Sequence, residues 1–272
     1  MIFYPTIYFQ RNLVDDNEKK AAACYFPVVI RRTDIPDGSL VIPRYSALPN
    51  NKELEEDIKN FGSKLINSHT EHVYVADLKN WYSHLEGLTP RTWFALDQIP
   101  DQGPFVLKGA TNSKKNQWHT CMFAETKQKA IDVFVRLTED GYIGGEQPIY
   151  VREYIQLKKL CDPVSSWSAP ISEEYRFFVL DGQILIGGFY WEGYLDIIEE
   201  RVDPSFVPQD FLQEVIDRVK DSIRFFVVDV ARTQEGKWIV IELNDGAQAG
   251  LSAIKPQLFY ERLAKRIYEA MP

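Results

Sequence analysis

Cysteine is scarce in this chain, with Cys24, Cys121 and Cys161 the only three in 272 residues. They are far apart and odd in number. That excludes a disulfide framework and any cysteine-based metal spacing, and it points to a reducing cytoplasm. Long apolar runs are also missing: none approaches the ~20 residues needed to cross a bilayer. The apolar start MIFYPTIYFQ has no basic flank and contains Pro5, so it reads as a first strand rather than a signal peptide. Neither sign of charge is segregated. The 39 acidic and 31 basic residues give a net charge of −8 and are interspersed, which excludes a broad nucleic-acid-binding surface. There is no internal repeat, no low-complexity tract and no Ser/His/Asp or Cys/His set for nucleophilic catalysis. His69 and His72 stand three apart in SHTEH without a third ligand for zinc; an exposed loop or a helix start is expected there.

What the chain does have is core material. Hydrophobic residues make up 45%, with 6 Trp, 14 Tyr and 16 Phe, enough for one large domain or two to three small ones. Periodicity predicts short strands at residues 39–43, 64–67 and 73–75 and a helix through Leu54, Ile58 and Phe61 that Gly62 closes. A helix turn at 81–85 ends at Pro90. Further on come a strand at 104–108, a helix through Ala130, Phe134 and Leu137, and a strand at 149–155. Residues 175–180 and 183–191 flank Asp181-Gly182, a strong hairpin signal. Helices through Leu212, Ile216 and Val219 and through Phe259, Leu263 and Ile267 follow, the first entered at Pro208 and the second at Pro256. This order implies an α+β fold, with helices packed on mostly antiparallel sheets. The natural division is 1–102 as an N-terminal α/β region and 103–272 as a catalytic region, and residues 160–172 read as a mobile insertion.

Residues 225–250 are the most informative. Asp229 interrupts an apolar run, and Glu242 and Asn244 lie two apart in the next run, hence on one face of a strand. A two-residue turn at Glu235-Gly236 sets Asp229 opposite Glu242. Carboxylates so placed repel and are costly to bury unpaired; a divalent cation relieves both. Oxygen-only ligands suit Mg²⁺. The alternative is that Asp229 bonds backbone and Glu242 is solvated. Upstream, Lys108 ends an apolar strand and must pair or reach solvent. The loop GATNSKKNQWHT after it carries Lys114 and Lys115, and either folds over phosphates or is a solvated connection. Arg176 lies opposite Gly187 if Asp181-Gly182 is the turn, and an Arg beside a strand glycine suits bidentate contact with phosphate or carboxylate; a solvated sheet face is the other reading. Residues 246–250 (GAQAG) are either a flexible turn or backbone that approaches substrate.

In order, strand-Lys108, a polar loop, VREYI, the Arg176 hairpin, and Asp229 followed by Glu242-x-Asn244 resemble the ATP-grasp superfamily. The likeness extends to its divergent clade that includes the eukaryotic assembly protein for a translation initiation factor; PRYS at 43–46 and LINS at 65–68 also look like that clade. The resemblance implies nucleotide held between two α+β subdomains. It implies phosphate contacts from Lys108, a lid lysine at Lys114 or Lys115, and an adenine hinge at Glu153, Tyr154 and Ile155. Arg176 would hold the γ-phosphate or an acyl-phosphate, and Asp229, Glu242 and Asn244 would ligate Mg²⁺. The lid departs from many relatives in being poor in glycine. Family chemistry implies ATP-dependent joining of a carboxylate to an amine or related nucleophile through an acyl-phosphate, with a protein or peptide as one conceivable substrate. Two alternatives remain open: an ATP-binding assembly factor that does not ligate, and a phosphotransferase.

Overall fold

The structure, a computed structural model, describes residues 3–10, 16–45, 50–111, 113–141, 143, 147–166 and 168–271. Met1, Ile2, Ser46, Asn112 and Trp167, which belong to segments discussed above, lie outside the described residues.

Strands β1 (Tyr4–Phe9), β2 (Val28–Val29), β3 (Ser39–Arg44) and β4 (Lys64–Leu65), with helix α1 (Asp16–Ala23) between the first two, form a parallel sheet in the order β2-β1-β3-β4. A parallel sheet is stable when both faces are covered, and the alternation along these strands provides for that. Tyr8 and Val41 face Leu54 and Ile58 of α2 (Asn51–Asn60). Ile7, Phe9 and Ile42 face the opposite way, into a core shared with Phe178, Phe225 and Phe259. Residues 73–75, expected as a strand, lie instead in α3 (His69–Ala76). A capping box overrides the β-propensity of Val-Tyr-Val: Ser68 Oγ accepts from the Glu71 N–H at 3.3 Å, and the Ser68 N–H donates to Glu71 Oε2 at 2.7 Å. Helix α4 (Leu78–Tyr82) follows, with Asp77 as its cap.

The second sheet is antiparallel, in the order β5 (Thr92–Trp93), β8 (Ile149–Glu153), β6 (Gln102–Gly109), β7 (Phe123–Thr126). Helix α5 (Trp118–Cys121) precedes β7. Helix α6 (Lys127–Glu139) lays Ala130, Val133 and Leu137 on Phe105, Leu107 and Val151. A two-stranded ladder, β9 (Lys159–Cys161) with β10 (Ile171–Ser172), brackets residues 162–170.

The third four-stranded sheet is also antiparallel, in the order β12 (Gln183–Phe189), β11 (Glu174–Leu180), β13 (Phe225–Arg232), β14 (Trp238–Asp245). One face carries Phe177, Val179, Phe226 and Val228 and is covered by α7 (Gln209–Val219) through Leu212, Val215 and Ile216. The other carries Phe178, Leu180, Phe225 and Val227 and is covered by α8 (Pro256–Glu269) through Phe259 and Leu263. The β11–β12 turn falls at Asp181-Gly182 as expected, both at positive φ, 49° and 69°.

Candidate active site

Arg176 and Asp229 continue the face that α8 covers, one rung beyond Phe178 and Val227. The ladder sets Gly188, Arg176, Asp229 and Glu242 side by side across all four strands. The expected pairing of Asp229 with Glu242 holds, but the turn does not have two residues. Near the loop, Arg232 pairs with Trp238, and a bulge between Asp229 and Val230 shifts the ladder by one. The loop spans Gln234-Glu235-Gly236, with Gly236 at φ 86°. A bulge between Phe178 and Val179 likewise moves Arg176 from Gly187 to Gly188. Neither glycine makes room for a ligand. A Cβ on Gly187 would lie 2.4 Å from the Phe177 ring, and one on Gly188 2.4 Å from Ile254. Gly246 serves packing in the same way, since its Cβ would meet the Phe225 ring at 2.8 Å.

The charges on this rung are neutralised within the protein. Arg176 grips Asp229 with two hydrogen bonds, Nε to Oδ1 at 2.8 Å and Nη2 to Oδ2 at 2.7 Å, and donates Nη1 to the Gly250 carbonyl at 2.8 Å. Lys108 Nζ donates to Glu242 Oε1. Burial alone would push the Glu242 carboxyl up, but Lys108, assisted by Lys115 and a hydrogen bond from Asn244, holds it below the usual carboxylate range. Asn244 Nδ2 also lies 3.4 Å from Asp229 Oδ2. The three oxygen-bearing side chains expected to hold a metal therefore converge on one face. Two carboxylates and an amide oxygen, once the amide is turned over, fit a small hard cation.

Of the two lysines expected in a lid, Lys115 reaches this site and Lys114 does not. Lys114 Nζ lies 2.9 Å from Asp140 Oδ2. Lys115 Nζ lies 3.4 Å from Glu174 Oε2 and 4.1 Å from the centre of the Tyr190 ring. Its burial would lower its pKa, but Glu174, Tyr190, Glu242 and Asp229 together hold it above the ordinary lysine value.

Two clefts meet at Lys108 and Glu242, which line both. The first holds about 1080 Å³ of space, part of it open to solvent. Its walls include Val106, Met122, Ile239 and Ile241, and the segment 153–157 forms one edge. Of the expected hinge donors, the Glu153 N–H is taken by the Arg91 carbonyl and that of Tyr154 by the Pro104 carbonyl. The Ile155 N–H has no partner among the described residues. The Tyr154 ring packs against Phe123 with centroids 4.9 Å apart. Arg152 is buried, donating to the Ile241 carbonyl at 2.7 Å and to Thr89 Oγ1 at 2.6 Å. Burial lowers its pKa to about 10. Arg152 Nε and Trp191 Nε1 are buried donors without protein partners among the described residues, and both residues line this cleft. A ligand rich in acceptors fits such a wall.

The second cleft, about 610 Å³, is lined by His72, Val75, Leu78, Trp81, Thr111, Asn244, Asp245 and Gln248 among others. His69 opens α3, the helix start expected for this segment, but His72 is not exposed. It sits on the buried side of α3, 4% exposed, with Nδ1 3.0 Å from Asp245 Oδ2. Asn67, quoted above only as part of a motif, donates Nδ2 to the Phe225 carbonyl at 2.6 Å and to Asp245 Oδ1 at 2.9 Å, and accepts from the Phe225 N–H at 2.9 Å. No spacing rule ties Asn67 or His72 to partners that lie 158 and 173 residues away in the chain. The one available signal was Asp245 itself, an acidic residue whose side chain alternation turns away from Asn244.

This combination of a parallel N-terminal sheet, two antiparallel sheets with a cleft between them, and a charged rung defines an ATP-grasp fold. The family model described as an ATP-grasp domain, of the clade written R-2-K and family 3 within it, matches residues 95–263, and the chain belongs to that family. Among solved structures it is similar to the D-cycloserine synthetase DcsG, with 12% identity, 97% of this chain and 99% of that chain covered, and a TM-score of 0.62. The ATP-grasp ligase PsnB complexed with minimal precursor gives 13% identity, 97% and 100% coverage and a TM-score of 0.59. The D-alanyl-alanine synthetase A of Vibrio cholerae O1 biovar eltor str. N16961 gives 14% identity, 99% and 98% coverage and a TM-score of 0.58. Comparison with curated proteins finds no match. Among the described residues no helix is long and apolar enough to cross a membrane.

Proposed function

We propose that this protein is an ATP- and Mg²⁺-dependent cytoplasmic ligase that joins a carboxylate to an amine through an acyl-phosphate. The observation that carries the reading is the rung of Arg176, Asp229 and Glu242, with Lys108 on Glu242 where the two clefts meet. In this reading the first cleft holds ATP. The Ile155 N–H meets the purine edge, beside Glu153 and Tyr154, and the apolar walls cover its faces. Lys108 and Lys115 turn from their carboxylate partners to the phosphates. Arg176, anchored through Asp229, presents its guanidinium to the oxygens of the transferring phosphoryl group, where fixed charge has its largest effect. Asp229, Glu242 and Asn244 would hold Mg²⁺, which supplies neutralisation of phosphate charge. The second cleft receives the reacting substrates, and the region 1–102 contributes one side of its wall through α3 and α4.

Relatives complexed with ligands support this assignment by fold alone. PsnB has been solved with minimal precursor, Mg and ADP, and a D-alanine–D-alanine ligase from Bacillus anthracis with ATP. Incubation with ATP, Mg²⁺ and mixed pools of carboxylic acids and amines should release phosphate only when both pools are present. Label from the γ-phosphate appearing on an acceptor would instead identify a phosphotransferase. ATP binding without turnover, together with a stoichiometric protein partner, would identify the assembly factor.

A further inference from the structure

The second cleft contains a polar group that the ligase reading leaves without a task. Asp245 is fixed by its neighbours: Oδ1 accepts from Asn67 Nδ2 and from the Ala247 N–H, both at 2.9 Å. Its other oxygen lies 3.0 Å from His72 Nδ1. A carboxylate only accepts, so Nδ1 carries a hydrogen, and in the neutral ring Nε2 is left with a lone pair. Among the described residues Nε2 has no protein partner, and His72 lines the cleft. Gln248 Nε2 lies 3.4 Å from His72 Nδ1. With the ring hydrogen on Nδ1, that amide is satisfied when turned over, so that Oε1 faces the Nδ1 hydrogen. His72 Nε2 is then an unpartnered acceptor in this cleft, and it suits a nucleophile with a hydrogen to give. Lys108 is the one lysine or arginine among the described lining residues, and the ligase reading assigns it to the phosphates. An acceptor with its own carboxylate would find no other lysine or arginine among the described lining residues. Val75, Leu78 and Trp81 offer an apolar wall instead.

We propose that the nucleophile taken by the second cleft is a primary amine on an apolar body without a carboxylate, and that His72, oriented by Asp245, receives its proton. This rests on the ligase reading. The amine nitrogen bonds to the acyl carbon as the bond from that carbon to the phosphate oxygen breaks, and phosphate leaves with the electron pair. The proton shed by nitrogen passes to His72 Nε2 and departs with phosphate as HPO₄²⁻.

The test pairs two nucleophiles with ATP, Mg²⁺ and a pool of N-acetyl amino acids as carboxylate donors. Benzylamine needs a base to become reactive, whereas hydroxylamine is already unprotonated at neutral pH. Positioned bases contribute about 10²–10⁴-fold, so His72→Gln should lower the kcat ratio of amide to hydroxamate about 100-fold, with a smaller change in the KM for benzylamine. An equal fall with both nucleophiles, or hydroxamate without amide in the wild type, overturns this inference and leaves the ligase reading standing. No hydroxamate from the wild type overturns the ligase reading and the amine step with it. Histidine side-chain ¹⁵N spectra of the wild type test the same arrangement without any variant. His72 should be protonated on Nδ1, and benzylamine should shift its Nε2 resonance more than benzyl alcohol does. A hydrogen on Nε2 overturns the inference.

Discussion

Glu242 faces two cationic groups, Lys108 and Lys115, and one amide, Asn244. Glu242→Gln keeps the shape and removes the charge, so it should abolish the Mg²⁺-dependent part of ATP affinity while leaving the fold intact. Calorimetric titration with ATP, with and without Mg²⁺, measures that part, and unchanged affinity would count against the metal site. Lys108→Ala should weaken ATP binding even without metal. Acid titration provides a second check. The Glu242 carboxyl is held below its usual value, so its contribution to stability is complete above the ordinary carboxylate pKa of about 4.3. It disappears as pH falls through the lower folded value. Urea unfolding between neutral pH and about pH 3 should show wild type losing more stability in that acidic window than Glu242→Gln does. Asp229, Glu242 and Asn244 were legible because three polar side chains in strand centres have few packing explanations. Lys108 and Arg176 were also singled out, but not their direct pairing with Glu242 and Asp229, because Lys108 lies 134 residues upstream of Glu242 and no local rule links the two.

Among the elements, α3 has the largest consequence for the second cleft, because it carries His72 and is started by a single capping box. Ser68→Ala should cost about 0.5–2 kcal/mol of stability, read as a lower urea midpoint with an unchanged slope. The helix illustrates where sequence reading fails. Val-Tyr-Val has the composition of a strand, and the Ser68-x-x-Glu71 signal that decides the matter lies just before it. The β11–β12 hairpin was legible down to its turn, because Asp-Gly adopts the positive φ pair that such a turn needs. The bulges were not, since an extra residue in one strand leaves the apolar alternation on either side intact. One bulge lies between Asp229 and the loop, so a turn misjudged by one residue still led to the right partner for Asp229.

At the scale of the whole molecule, the sequence showed antiparallel layers and concealed the parallel first sheet, whose strands are short and buried on both faces. The division proposed at Gly103 does not separate the sheets, because β5 lies before it and pairs with β8, and β6 begins at Gln102. Apolar contact crosses it as well: Ile7, Phe9, Leu40 and Ile42 share a core with Phe178, Phe225, Phe259 and Leu263. A fragment of residues 95–263, the span of the family match, should therefore expose this face. It should bind 8-anilinonaphthalene sulfonate strongly and melt without a sharp transition, in contrast to the whole chain.

Arg44, fully buried in β3, donates to Glu18 at 3.1 and 3.0 Å and to the carbonyls of Gly246 and Ala247 at 3.1 Å each. The turn that leaves the metal-seeking strand is thus tethered from the opposite end of the polypeptide. A chimera that grafts residues 103–272 onto a foreign leading half would have to supply a guanidinium at this spot, or two inward-facing carbonyls would be stranded and the wall of the second cleft between Asp245 and Gln248 would sag.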